Sequence, residues 1–395
     1  MPVIDADSHF EPGPAWLDTA PDLRERLPDF DTAEVTTKIV AGDILANVPR
    51  DEWPAWEELL PPGILAIAGK AEKPDDYGYE GSSMHGATDP ASRVAWLDDN
   101  GIDLENVICL EGMINARFLD DRALARDVIT ACNSWLADAV DGYTDRLLPV
   151  TCLDFSDVGA AVREMARMRE RGSRAFLIGT IPVPGVPVMH PRFEPIWSAA
   201  TDLGMIALLH VGYQPASFDP AWANTAGDMM LLRQLGVSQG HQSVELMLNG
   251  LIFGGTFHRH PALTVLIAEC GLYWFAGALD HMDSRDARVQ PEARLYMGEY
   301  PFDLSPSEFA RRNVRITPLP RRHQSPVALL EQYPECVVFS SDFNHNEGSG
   351  TPTGYYRDLL AGVDEPVVAG FMGSNLAACY ERMGDPLPGL PTRRG

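Results

Sequence analysis

The sequence has few cysteines, and the six it contains form no recognisable pattern. There is no Cys-x-x-Cys pair, and four of the six lie in or beside apolar, strand-like runs (Cys109, Cys152, Cys270 and Cys336). This distribution does not predict a disulfide framework. We interpret these residues as buried, reduced thiols, which is typical of a cytoplasmic protein.

Basic residues are also scarce. The 31 Lys and Arg stand against 56 Asp and Glu, which gives a formal net charge of -25. A surface this acidic disfavours nucleic acid or an anionic membrane as a partner. No apolar run reaches the ~18 residues that a membrane-spanning helix needs, and no signal peptide is predicted at the N-terminus. With 395 residues, 45% of them hydrophobic, the chain is expected to be soluble with a large core.

Two common catalytic motifs are missing. The sequence contains no Gly-x-Ser-x-Gly elbow, which argues against a hydrolase with a serine triad. It also lacks a glycine-rich, phosphate-binding loop with an adjoining Lys and Ser or Thr. The chemistry must therefore come from other residue types.

What the sequence does contain is a regular alternation of apolar strands and helices. Strands that are apolar on both faces and alternate with helices predict a parallel sheet covered by helices. Eight such units favour a (β/α)8 TIM barrel, with an open doubly wound sheet as the alternative. The predicted strands span 2–8, 104–111, 147–155, 175–180, 205–210, 263–270, 313–317 and 336–342.

One stretch interrupts this rhythm. Residues 13–88 read irregularly and are rich in Pro, Gly and aromatic residues, so we expect a lid or insert after the first strand. Residues 1–385 are then expected to form a single barrel, and residues 386–395 a loose tail.

Polar residues follow several of the predicted strands. Asp7 and His9 are two positions apart, so both can face one point at the end of an extended strand. His210 ends the fifth strand, and Asp342 ends the eighth. Because the active site of a barrel lies at the carboxyl ends of its strands, we predict that Asp7, His9, His210 and Asp342 bind one zinc or manganese ion. Asp342 could also act as a general base.

Further residues are candidates for catalysis or substrate binding. Glu269 ends the sixth strand, and His345 lies in the loop after Asp342, on the expected active face. His241 could reach the site or cap a helix, and both alternatives stay open. The pair His258 and His260 precedes the sixth strand, which is the wrong end of a barrel for a metal site. The substrate-binding candidates, for which ordinary packing is an equal alternative, are Trp274, Tyr213 and Phe343.

Several segments resemble the amidohydrolase-related family, in the branch that contains aminocarboxymuconate-semialdehyde decarboxylase. The similar segments include IDADSHFEP at 4–12, FEPIWSAATDLGMIALLH at 193–210, LNGLIFGGTFHRHPALTVLIAECGLYWF at 248–275 and SSDFNHNEG at 340–348. The resemblance implies a (β/α)8 barrel with one divalent metal ion, bound by an acidic residue-x-His pair, a strand-five histidine and a strand-eight aspartate. It also implies a possible homodimer.

One position departs from the family pattern. The decarboxylases that the sequence resembles end strand six in a histidine, where this chain has Glu269. A carboxylate does not shuttle protons near neutral pH unless burial raises its pKa. The main prediction is therefore a hydrolase that uses a metal-activated water on a small, apolar or aromatic amide, ester, lactone or C–C substrate. The alternatives are a non-oxidative decarboxylase of an aromatic or unsaturated acid, and a barrel that only binds a ligand.

Overall fold

The computed structural model describes residues 2–10, 13–27, 89–110, 121–211, 238–319, 325–345 and 348–387, together with six isolated positions (112, 116, 119, 231, 234 and 235). The predicted lid or insert lies mostly outside these residues. Its described part is a 3-10 helix, Gly13–Thr19, and a short helix, Pro21–Arg26.

The core of the fold is one parallel sheet whose seven strands pair in sequence order. Every residue of these strands is buried, because helices cover the outside and side chains fill the inside. The strands are β1 Ile4–His9, β2 Leu104–Ile108, β3 Leu147–Thr151, β4 Ala175–Ile178, β5 Ile206–Leu209, β6 Val265–Ile267 and β7 Val314–Ile316.

The ring closes through residues 336–343, which we call the closing segment. On one side Val338 N–H donates to Ile316 O of β7 at 3.0 Å. On the other side Ala6 N–H of β1 donates to Phe339 O, also at 3.0 Å. The closing segment pairs through these bonds and an isolated bridge rather than as a regular strand. The predicted (β/α)8 barrel is therefore confirmed, although its eighth strand is less regular than expected.

Helices follow the strands and present apolar stripes to the sheet. The described α-helices are α1 Pro21–Arg26, α2 Pro90–Asn100, α3 Arg122–Ala139, α4 Val158–Glu170, α5 Glu194–Leu203, α6 His241–Phe253, α7 Thr256–Arg259, α8 Phe275–Met297, α9 Pro306–Asn313, α10 Val327–Gln332, α11 Pro352–Leu359, α12 Glu365–Ala369 and α13 Asn375–Arg382. Their ends follow local chemistry: Asp121 caps α3 by accepting from two backbone N–H groups, and Gly204 ends α5 in the left-handed conformation.

Two helical regions are irregular. Helix α8 contains Pro291. A π-helical segment, Gly370–Ser374, lies between α12 and α13. A Cβ on Gly373 would lie 2.4 Å from Pro2 O, so the backbone of this segment passes too close to the start of β1 for a side chain. Across the described part of the chain, none of the helices is both long and apolar enough to cross a membrane.

Candidate metal centre

The carboxyl ends of the strands bring six ionisable side chains to one place. Asp7 and His9 come from β1, His210 follows β5 directly, and Glu269 lies two residues beyond β6. The closing segment contributes Asp342, and the loop after it contributes His345. We call these six residues the donor cluster. All are buried except His345, whose side chain is 22% exposed.

The distances between donor atoms match those around a single metal ion. His9 Nε2 lies 3.2 Å from His210 Nε2, 3.4 Å from Asp342 Oδ1 and 3.6 Å from Asp7 Oδ1. His210 Nε2 lies 3.3 Å from Glu269 Oε2. Metal–ligand bonds of ~2.1 Å place neighbouring ligand atoms roughly 3.0–3.4 Å apart, so the spacing of these donor atoms is compatible with one bound ion.

Unpaired polar atoms test whether a cation fits here. Both carboxylate oxygens of Asp7 and of Asp342, and Oε1 of Glu269, are buried without a hydrogen bond from any described residue. Such atoms are rare in folded proteins because their desolvation is costly. A divalent ion accepts carboxylate oxygens and imidazole nitrogens together, so the donor cluster fits one.

Burial and mutual charge determine the protonation of the cluster. Burial raises the pKa of Asp7 to about 7, and the charge of Glu269 adds to the rise. The same two causes raise the pKa of Asp342 well above its usual range. Burial alone would raise the pKa of Glu269, but His210 and its other neighbours hold it well below its usual range. Burial, together with His345 and His210, lowers the pKa of His9, which favours the neutral imidazole that binds metals.

The two buried histidines are oriented differently. His210 Nδ1 lies 2.8 Å from Val211 O, so Nδ1–H donates a hydrogen bond to this backbone carbonyl. The lone pair of the ring is then on Nε2. The ring of His9 is fixed instead by packing, because His345 stacks on it with ring centroids 3.5 Å apart. In both cases Nε2 faces the carboxylates of the cluster.

Sequence reasoning missed the residues that support the cluster. Asp5 Oδ1 accepts the backbone N–H of Asp7 at 3.2 Å and of Ser341 at 2.9 Å, which ties β1 to the closing segment. Arg93 of α2 donates to His9 O and lies 3.5 Å from Glu105 of β2. The alternation Asp5-x-Asp7-x-His9 was the available signal for Asp5, whereas Arg93 has no comparable local pattern.

Other candidates lie apart from the donor cluster. His241 begins α6 and stacks near Trp274 at 6.3 Å, and it is absent from the metal-binding groups of the described residues. Phe343 is buried against Trp96, with ring centroids 4.0 Å apart. Tyr213 lies outside the described residues. The substrate-binding roles of these residues, and a catalytic role for His241, stay predictions.

The pair His258 and His260 lies in and just after the short helix α7, before β6, which is the position in the chain that the sequence analysis gave it. His260 Nε2 contacts Glu194 Oε1 at 2.7 Å, and His258 contacts Asp303. Neither histidine belongs to a metal-binding group of the described residues.

Comparison of the sequence with family models decides the assignment: the model of the amidohydrolase family matches residues 108–382. The chain belongs to the amidohydrolase family. It is accordingly an enzyme, a metal-dependent hydrolase or carboxy-lyase, and the alternative of a barrel that only binds a ligand loses its support. Among the curated proteins, none matches this sequence.

Solved structures of similar fold include other amidohydrolases and several decarboxylases. An amidohydrolase from Mycobacterium avium subsp. paratuberculosis K-10 has a TM-score of 0.66 and 19% identity, covering 96% of this chain and 99% of that one. A 5-carboxyvanillate decarboxylase from Sphingomonas paucimobilis has a TM-score of 0.62 and 18% identity, covering 96% and 99%. A dihydroxybenzoic acid decarboxylase from Polaromonas sp. JS666, with bound manganese and 2-nitroresorcinol, has a TM-score of 0.60 and 17% identity, covering 96% and 97%.

Proposed function

We propose that this amidohydrolase is a non-oxidative, metal-dependent decarboxylase of a small aromatic or unsaturated acid. The observation that carries the proposal is a buried carboxyl group, Asp342, placed among metal-binding donors at the barrel mouth. Decarboxylation replaces CO2 with a proton, so the enzyme needs an acid that still holds a proton near neutral pH. Without metal, burial and the charge of Glu269 raise the pKa of Asp342, which supports its assignment as this acid.

The residues of the donor cluster take distinct roles in this proposal. Asp7, His9 and His210 would hold the metal ion, joined by Asp342 when it is deprotonated. When bound, the ion would bind the substrate carboxylate and neutralise part of its charge. Asp342 donates its proton to the substrate carbon that carries the carboxylate. The bond between that carbon and the carboxylate then breaks, CO2 leaves, and the electron pair of the broken bond stays on the substrate. His345, 3.1 Å from Asp342 Oδ1 and partly exposed, leads a proton from solvent back to Asp342.

Two solved decarboxylases of similar fold support the choice of metal and substrate. The 5-carboxyvanillate decarboxylase from Novosphingobium aromaticivorans contains manganese and a nitrobenzoic acid, and the Polaromonas enzyme contains manganese and a nitroresorcinol. The three carboxylates of the cluster also suit manganese better than zinc, since carboxylate-rich sites favour harder ions. We therefore infer manganese as the ion and a hydroxylated aromatic acid as the substrate.

Hydrolysis, the main prediction from the sequence, stays a prediction with less support. Of the three solved structures above, two are named as decarboxylases and one as an amidohydrolase. Glu269 was the reason for preferring hydrolysis, because a carboxylate whose pKa is not raised does not shuttle protons. Its neighbours hold the pKa of Glu269 below the usual range, so the proposal assigns the proton donor to Asp342 and not to Glu269. A homodimer and a cytoplasmic location likewise stay predictions.

The test is CO2 release from a panel of hydroxylated benzoic acids by protein reconstituted with manganese or zinc. A parallel panel of aromatic esters and lactones tests hydrolysis. We expect CO2 release by the wild type and a loss on the order of 10²–10⁴-fold in kcat for Asp342→Asn. Asp303→Asn, at an exposed aspartate beside His258, is the matched control and should leave kcat unchanged. Ester or lactone hydrolysis without CO2 release would favour the hydrolase instead.

A further inference from the structure

The backbone at Glu269 is unusual in the same way as the backbone at Asp342. Their φ angles are +58° and +50°, and they are the two residues other than glycine with positive φ in the described part of the chain. The left-handed conformation is strained for a residue with a side chain, because the Cβ atom comes too close to the following carbonyl oxygen. Backbone strain of this kind concentrates at functional sites, where the rest of the structure holds it in place.

The backbone and the carboxylate of Glu269 make contacts in different places. Its backbone N–H donates to Thr317 Oγ1, just beyond β7, at 3.3 Å. Its side chain is buried in the donor cluster, with Oε2 3.3 Å from His210 Nε2 and Oε1 3.5 Å from His345 Nδ1. Oε1 receives no hydrogen bond from the described residues. The backbone is therefore fixed while a carboxylate oxygen remains available in the cluster.

Glu269 has a second distinction within the cluster. The donor atoms form two overlapping groups in which all atoms lie within 4.8 Å of one another. One group contains His9, His210, Glu269 and His345, and the other contains Asp7, His9, Glu269 and Asp342. Only His9 and Glu269 belong to both. An ion centred on either group would meet Glu269, whereas it would meet Asp342 in only one of them.

We propose that Glu269 is itself a ligand of the divalent ion, so that the residue at the end of β6 binds the metal directly. The proposal rests on the metal site of the proposed function, which it extends by one ligand. Together with Asp7, His9 and His210, Glu269 completes a set of four protein ligands that does not depend on Asp342.

This assignment gives a physical reason for the departure at strand six. A histidine there would add a neutral ligand or a proton shuttle, whereas a glutamate adds a negative charge and an oxygen donor. The result is a site in which two carboxylate ligands, Asp7 and Glu269, lie beside two imidazoles. In such a site, we expect electrostatic attraction to contribute a larger share of the Mn²⁺ affinity than it does in a histidine-rich site.

The test compares the affinity of metal-stripped protein for Mn²⁺ in the wild type and in Glu269→Gln, by calorimetric titration and by the loss of the free-ion EPR signal. Glutamine keeps the size of the side chain but lacks its charge. Substitution of a residue that hydrogen-bonds to a metal ligand typically weakens metal affinity about 10–100-fold. For substitution of a ligand itself we expect the Kd for Mn²⁺ to increase by about 100-fold or more. Glu331→Gln, on the exposed side of α10, is the control and should bind Mn²⁺ like the wild type.

A stability measurement distinguishes a ligand from a structural residue. For a ligand, adding Mn²⁺ should raise the melting temperature of Glu269→Gln by less than it raises that of the wild type, whatever the melting temperature of the variant without metal. A lower melting temperature without metal, combined with an Mn²⁺ affinity within about threefold of wild type, would overturn the proposal. If the wild type binds neither Mn²⁺ nor Zn²⁺, the metal site of the proposed function fails, and this ligand assignment fails with it.

A crystal structure of the wild type with Mn²⁺, located by its anomalous signal, gives an independent answer if Glu269→Gln does not fold. A Glu269 oxygen at ~2.0–2.2 Å from the ion supports the assignment. An ion bound by the other residues with Glu269 beyond 3 Å contradicts it while leaving the proposed decarboxylase intact.

Discussion

Two groups of buried charges lie side by side in this barrel, and they balance their charge in different ways. In the first, Glu105 of β2 lies 3.5 Å from the guanidinium of Arg93, and both side chains are fully buried. In the second, the donor cluster, the ion pairs of Asp7, Glu269 and Asp342 among the described residues are with histidines alone. The first group thus contains its own permanent cation, whereas the second contains only titratable ones.

This difference indicates a structural role for the first group and a role in chemistry for the second. Arg93 also lies over the rings of Phe10 and Phe343, and it donates to His9 O, so its charge is fixed in place by packing. A permanent internal cation cannot be exchanged, which suits a structural role. The donor cluster can accept a metal ion from solution, so its charge balance depends on what it binds. This dependence is what an active site requires.

The largest expected effect comes from breaking the first group. Arg93→Met leaves Glu105 buried without its cation, which costs about 3–5 kcal/mol in the free energy of unfolding. Chemical denaturation of the metal-free protein measures this cost. The double variant Arg93→Met/Glu105→Gln removes both charges and should recover much of the loss. A single variant as stable as the wild type would show that the two groups do not differ as described.

The second prediction concerns the donor cluster and its pH dependence. The pKa of Asp7 rises from 3.8 to about 7 on folding, so the folded protein holds a proton that the unfolded chain releases in this range. Stability that Asp7 contributes is complete below pH 4 and is lost as the pH rises through 7. Asp7→Asn removes this dependence. The free energy of unfolding of the metal-free variant, relative to that of the wild type, should therefore increase by about 2–3 kcal/mol from pH 5 to pH 8.

Denaturation of both proteins in a chelating buffer at several pH values measures this gain. The lowered pKa of His9 acts in the opposite direction at low pH, but it affects both proteins and cancels in the difference. Saturating Mn²⁺ should reverse the order at pH 8, because the wild type retains a ligand that the variant lacks. A difference that does not change with pH would mean that Asp7 is charged without metal.

Much of the donor cluster could be predicted from the sequence, because its logic is local. Asp7 and His9 share a face through the two-residue period of a strand, and the ends of parallel strands meet at one edge. The support around the cluster could not be predicted in this way. Arg93 and Glu105 meet only because α2 packs on β2, and His345 reaches His9 through the path of a loop. Such contacts depend on tertiary geometry that no period in the sequence encodes.

The fold shows the same division. Strand and helix positions follow from apolar patterns, but the break at Gly370–Ser374 depends on how close Gly373 passes to Pro2. The irregular pairing of the closing segment likewise reflects its place between β7 and β1. In both cases a neighbour distant in sequence decides the local backbone.

A third charged group sharpens the comparison and gives the smallest expected effect. Glu194, at the start of α5, pairs with Arg259 at 2.8 Å and His260 at 2.7 Å, all partly exposed to solvent. Water screens these charges, so Glu194→Gln should change the free energy of unfolding by less than about 1 kcal/mol. It should leave Mn²⁺ affinity and CO2 release unchanged, although a His-x-His pair is present. A loss of Mn²⁺ affinity in this variant would place a metal site at the wrong end of the barrel, and the distinction between exposed pairs and the buried donor cluster would fail.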